Sequence, residues 1–97
     1  MTEQTSARAI RLLALREKLA EQEHIKWADW QRYFHGKCLR REDGALVVPA
    51  GYVAALERLI ATPYDELPRE QQRADRDEVD RYWPLIMAEL AKQEGER

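Results

Sequence analysis

Cysteine is nearly absent: Cys38 is the only one among 97 residues. One thiol cannot close an internal disulfide, so the chain reads as a protein of a reducing compartment, and a cytoplasmic location is expected. Glycine and proline are scarce, four of each, and cluster at a few breaks between longer segments. No run of 18 apolar residues occurs, which excludes a conventional membrane-spanning helix. The start, Met1-Thr2-Glu3-Gln4, lacks the charged-then-apolar layout of a signal peptide. Neither sign of charge dominates: 16 basic groups stand against 18 acidic ones, a net charge of −2. A chain so balanced is no general binder of long nucleic acid.

Catalytic and metal signatures are missing too. The two histidines, His24 and His35, are eleven residues apart and share no zinc-type spacing with Cys38. Cys38 follows His35 by three residues, but it falls on a predicted strand beyond a glycine, a poor geometry for a nucleophile–base pair. The glycines are scattered, so no phosphate-cradling loop is present. A non-catalytic protein is expected, without metal or cofactor.

What is present is a set of helical patterns. Hydrophobic residues make up 44%, enough for a core in one small domain, 1–97, although a chain of this length buries only about two-thirds of its surface. Residues 1–5 and 93–97 are polar and expected to fray. A long helix is predicted over 6–35, capped by Thr5 or Ser6 and ended by Gly36. In its first half Leu12, Leu15 and Leu19 lie on one side, Ile10 and Leu13 on another. Such a wide apolar arc needs burial from more than one direction. A helix of about thirty residues would be about 45 Å long. Either it breaks near Glu21–Glu23 or its first half projects to a partner. Asp43-Gly44 between two short segments, the second β-branched, predicts a hairpin over 37–48. A lone hairpin is marginal in water, so it must lean on the helices.

A second helix is predicted over 50–61, with Tyr52 or Val53, Leu56, Leu59 and Ile60 as its apolar face. It closes at Thr62, because Pro63 disfavours helical geometry in the residue before it. Pro68 suits the first turn of a third helix over 68–92. Its stripe is Val79, Tyr82, Trp83, Ile86, Met87 and Leu90, and Pro84 inside that pattern should kink or split it. Extended backward, the stripe lands on Asp75 and Arg76, then Gln72. The fold class is therefore mainly α: three or four helices packed with a short β-hairpin.

Two constellations carry candidate binding residues. From His24 to Arg41, five positive groups face Asp29 alone, a net of +4, while the rest of the chain carries −6. Among those charges lie Trp27, Trp30, Tyr33, Lys37, Arg40 and Arg41. Aromatic rings that stack a base, beside cations that hold phosphate, suit a small nucleotide-like anion. The competing reading is that aromatics at helical spacing are core. Arg40 and Arg41 face opposite sides of a strand, so only one would point into a given pocket. The second constellation is Tyr64 with Asp75 and Arg76. It reads as a solvated charged face, as a clasp in which Asp75 accepts bonds from the Thr62-Pro63-Tyr64 turn, or as a ligand contact.

Two blocks of residues carry a family resemblance. One is Leu19-Ala20-Glu21-Gln22-Glu23-His24-Ile25-Lys26-Trp27. The other is Pro63-Tyr64-Asp65-Glu66-Leu67-Pro68 followed by Asp75-Arg76. Together they resemble the ryanodine-receptor repeat, the RyR domain, and small proteins of bacteriophages and prophages. The chain departs from the repeat in the middle. Asp43-Gly44 and an added helix stand where the repeat has a Gly-Trp and Tyr-Gly hairpin, so its hairpin contacts do not carry over. The first twenty residues also lie outside the match. The resemblance implies an RyR-like fold and a cytosolic binding module, with capture of a nucleotide-derived ligand in phage–host defence or counter-defence. The apolar arc of the first helix points elsewhere, to a homodimer or to docking on a host protein.

Overall fold

The computed structural model describes residues 2–95, with side chains from Ser6 to Gly95. The chain is mainly α, 79% helical, with one short antiparallel hairpin. In order come α1 (Thr2–Lys37), β1 (Leu39–Arg40), β2 (Leu46–Val47), α2 (Ala50–Ala61), a 3-10 turn at Tyr64–Glu66, α3 (Arg69–Val79) and α4 (Trp83–Gly95). They form two compact units. One joins α1 through Lys26 with the chain from Arg76 onward; the other is Trp27–Asp75. No described helix is long and apolar enough to cross a membrane.

α1 does not break at Glu21–Glu23. Leu19-Ala20-Glu21-Gln22-Glu23 are all strong helix formers, so nothing local interrupts it. It also outruns its expected end. Gly36 lies inside the last turn, and the helix closes at Lys37, where the Cys38 N–H donates to the His35 carbonyl at 3.2 Å. His35 and Lys37 in that turn suit the negative end of the helix dipole. Of the termini expected to fray, Thr2 to Thr5 continue α1 and Gln93 to Gly95 continue α4; Met1, Glu96 and Arg97 lie outside the described residues.

The hairpin pairs Leu39 with Val47 and Arg40 with Leu46. Its loop is tied at three points. The Arg41 N–H donates to the Ala45 carbonyl at 2.8 Å and the Gly44 N–H to the Arg41 carbonyl at 3.1 Å. The Asp43 Oδ1 accepts from the Ala45 N–H at 2.9 Å. Gly44 sits at φ 92°, the left-handed conformation that closes such a loop onto a twisted strand pair.

α2 spans the expected residues. Thr62 adopts φ −101°, ψ 119°, the extended geometry that Pro63 imposes. A single kinked helix over 68–92 is not found. Pro84 lacks the N–H that would bond the Asp80 carbonyl, and its ring would strike that carbonyl. The chain therefore leaves the helix at Asp80, makes a turn through Tyr82, and restarts at Trp83 with Pro84 in the first turn of α4.

Where a core was expected, burial is shallow. Among the described residues no apolar side chain is fully buried; the one buried side chain is Glu89. In the first unit Leu15, Leu19, Tyr82, Leu85 and Ile86 are half-buried, while Leu12, Leu13 and Ile10 face outward. In the second, Phe34, Leu46, Val48, Tyr52, Ala55 and Leu56 are half-buried. The expected α2 face is only partly engaged: Leu59 is exposed, and Ile60 is 77% exposed.

Gly44→Ala should destabilise the hairpin by about 1–2 kcal/mol, the cost of a left-handed non-glycine residue. No atom lies within 4 Å of the added Cβ, so the loss would come from backbone strain alone. Faster amide exchange at Arg41 and Ala45, with the helical signal unchanged, is the expected readout.

Candidate functional site

The aromatic–basic face lies on the last three turns of α1, in the second unit. Trp30, Tyr33, Phe34 and Lys37 are three, four and seven residues apart, so helical geometry gathers them. Trp30 and Tyr33 stack with centroids 6.1 Å apart and planes inclined by 25°. Phe34 lies 5.7 Å from Trp30 and 5.9 Å from Tyr52 of α2. Lys37 Nζ sits 5.2 Å from the centre of the Tyr33 ring, within cation–π range. Phe34 is the member that packs inward. Trp30 is 42% exposed, Tyr33 57% and Trp27 55%, so the reading of Trp27 and Trp30 as core side chains is not met.

The depression that the hairpin arginines line includes none of these aromatic residues. Arg41 is held by Asp43 at 3.0 Å. Arg40 and Arg41 line a shallow depression with Glu42 and Asp43, where two cations meet two carboxylates and no net charge remains to trap an anion. Cys38 donates its thiol to the Phe34 carbonyl at 3.3 Å. His35 is turned to Phe34 instead, at 6.3 Å between ring centres.

The turn at Tyr64 is clasped, but by a different residue from the one expected. Gln72 Nε2 donates to the Tyr64 carbonyl at 2.9 Å, and Asp75 is exposed. Gln72 lies one turn nearer than Asp75 to the helix start, level with the turn that precedes it. The Tyr64 ring is 48% exposed. Asp75 closes the second unit and Arg76 opens the run of chain that completes the first.

That first unit holds a polar cluster with no counterpart in the sequence reading. Tyr82 donates its hydroxyl to Glu23 Oε2. Lys26 Nζ lies 3.2 Å from Glu23 Oε1 and 5.5 Å from the centre of the Tyr82 ring. The Tyr82 hydrogen bond, and next the Lys26 ammonium, hold the Glu23 carboxyl below its ordinary value. Lys26 is raised, chiefly through Tyr82, with Glu23 adding to the effect. The Glu23–Lys26 spacing of three was readable on a helix. The Tyr82 contact joins residues 59 apart and leaves no local signal. Among the described residues no group of three or more His, Cys, Asp or Glu side chains could hold a metal ion.

Comparison with protein-family models, curated proteins and solved structures gives no match for this chain.

Two expectations follow from these contacts. Asp75→Ala should leave stability within about 0.5 kcal/mol of the parent, whereas Gln72→Ala should cost about 1 kcal/mol for the lost hydrogen bond; paired urea titrations separate the two. Because the Glu23 pKa is depressed in the folded state, its contribution is complete above the ordinary glutamate value of 4.5 and is lost as pH falls through the lower folded value. Melting temperatures recorded from pH 7 down to about 3 should therefore fall less steeply for Glu23→Gln than for the parent. Parallel curves would mean that the Tyr82 bond does not persist in solution.

Proposed function

We propose that this chain is a non-catalytic association module whose apolar helix faces are covered by a second copy of itself. The observation that carries this reading is the burial pattern. Among the described residues seventeen large apolar side chains are exposed, including Ile10 at 66%, Leu13 at 57% and Trp83 at 54%, while no apolar side chain is fully buried. Exposed apolar surface on that scale marks an interaction site. The outward face of α1, with Ile10, Leu12 and Leu13, is the natural seam, because Leu15 and Leu19 already turn toward the first unit's own interior. Closed two-fold dimers are the commonest assembly of this type. The likeness to RyR repeats supports a binding role over a catalytic one, and the likeness to phage proteins makes a host protein the alternative partner.

A second reading keeps a small ligand. The stacked Trp30–Tyr33 pair with Lys37 beside it offers an exposed π-face and a cation. A nucleotide-like anion would use such a face without Arg41, which Asp43 occupies. Sequestration of such a ligand in phage–host conflict is the setting that the resemblance suggests.

Sedimentation of the purified chain at micromolar concentration distinguishes these readings. A dimer is expected, shifting to monomer with a lower melting temperature in Ile10→Glu with Leu13→Glu. A parent chain that is monomeric and melts cooperatively would remove the dimer. Calorimetry on the same samples, against mono-, di- and cyclic nucleotides, tests the second reading. Binding that Trp30→Ala abolishes without loss of stability would establish it, and a stacked ring should contribute about 1–3 kcal/mol.

A further inference from the structure

α4 is apolar on more than one side. Leu85 and Ile86 are half-buried, on the side that also carries the buried Glu89. A second arc faces outward. Trp83, Met87 and Leu90, four and three residues apart, are all exposed, and Ala91 beside them is exposed too. Helical spacing gathers these four into one stripe. A helix apolar over so wide an arc needs cover from more than one direction, and among the described residues only the Leu85–Ile86 side has it. The two ends of the stripe differ. At its start stands the Trp83 ring, on a first turn that carries no acidic residue. At its far end Leu90 shares a shallow hollow with Arg8, Gln93 and Glu94, so that end holds one cation and one carboxylate.

We infer that this stripe is a second self-association surface, on which α4 of another copy lies antiparallel. The inference rests on the self-association proposed above, but not on the α1 seam. Charge decides the occupant. An apolar stripe with one charge of each sign at its end offers nothing to a strongly charged partner, yet it is complementary to itself. In an antiparallel pair Met87 of one copy meets Leu90 of the other, and the two-fold repeats the contact. Ala91 on the seam lets the two axes come close. Trp83 of each copy reaches the far end of the other's stripe. There the Arg8 guanidinium can lie over the indole, and Glu94 faces the positive end of the other helix's dipole. A parallel pair would instead set Arg8 against Arg8 and Glu94 against Glu94. Four side chains on each of two 13-residue helices make an interface below the standard size, so this pairing is weak on its own. It joins dimers formed at the α1 seam into tetramers as concentration rises.

The test is sedimentation equilibrium of the full chain from micromolar to about 1 mM, the range of a weak interface, with helical content checked by circular dichroism. The parent should pass from dimer to tetramer. Ile10→Glu with Leu13→Glu should pass from monomer to dimer, held by α4 alone. Met87→Glu with Leu90→Glu, both at exposed positions, should weaken the high-concentration step by about tenfold or more and leave the dimer. A parent that is monomeric at micromolar concentration but pairs near the upper limit, and loses that pairing with Met87→Glu and Leu90→Glu, removes the α1 seam and keeps the α4 pair. Orientation is read from Trp83→Ala, Arg8→Ala and their combination, each made in the Ile10→Glu, Leu13→Glu chain. Within one copy Trp83 and the Arg8 end of the stripe are about 10 Å or more apart along the helix, beyond the usual range of coupling. The combined loss of pairing should therefore fall short of the product of the single losses, because the two side chains meet between copies. An α1 variant that stays monomeric up to the limit, a Met87, Leu90 variant that associates like the parent, or losses that simply multiply would overturn the antiparallel α4 pair.

Discussion

Short helices need tertiary cover, and this chain supplies little of its own. A helix of fewer than about 12–15 residues is marginal in water unless an amphipathic face is packed. α2 has 12 residues, α3 has 11 and α4 has 13, all within that marginal range. Their apolar faces are only half covered. α3 is the extreme case: Ala74 and Val79 are its only apolar residues, and Val79 is exposed. Such a helix leans on its ends, through Pro68 in front, the turn that Gln72 clasps, and the break that Pro84 enforces behind.

Polar contacts take over part of the work that a core would do. In the first unit, Tyr82 reaches Glu23, and Arg11 reaches Glu89. Both link α1 to the later part of the chain across a long sequence separation. The Tyr82–Glu23 bond is exposed, so it responds to pH and salt more than buried leucines would, whereas the Arg11–Glu89 pair is largely shielded from solvent. The second unit relies instead on ring contacts, Trp30 to Phe34 and Phe34 to Tyr52. These are less sensitive to solution conditions, because their attraction is mostly apolar contact.

Elements whose boundaries rest on local chemistry were legible. Pro63 ends α2, Pro68 precedes α3, and Asp43-Gly44 makes the hairpin loop, all through backbone geometry that acts over one or two residues. Pro84 was legible only as a choice between kink and split, because the decision depends on whether packing can hold the two halves in line. Exposure was illegible. Helical periodicity places Leu59 and Ile60 on the same face as Leu56, yet it cannot say whether anything covers that face. The clasp fell to Gln72 instead of Asp75 because the stripe gives direction around the helix and not height along it. The Arg11–Glu89 pair depends on how α1 meets α4, which no single segment encodes.

The hairpin is very short, two residues in each strand. That brevity has a bearing on a chain with so much uncovered apolar surface. Long exposed strands present unpaired N–H and C=O groups and recruit other strands indiscriminately, the route to fibrils. Here the exposed apolar groups lie mostly on helices, whose backbone bonds are closed within each helix. The dimer proposed above would then form through side chains alone, where shape decides which surfaces fit. Such a surface offers side-chain contacts without the long open sheet edge from which fibrils grow.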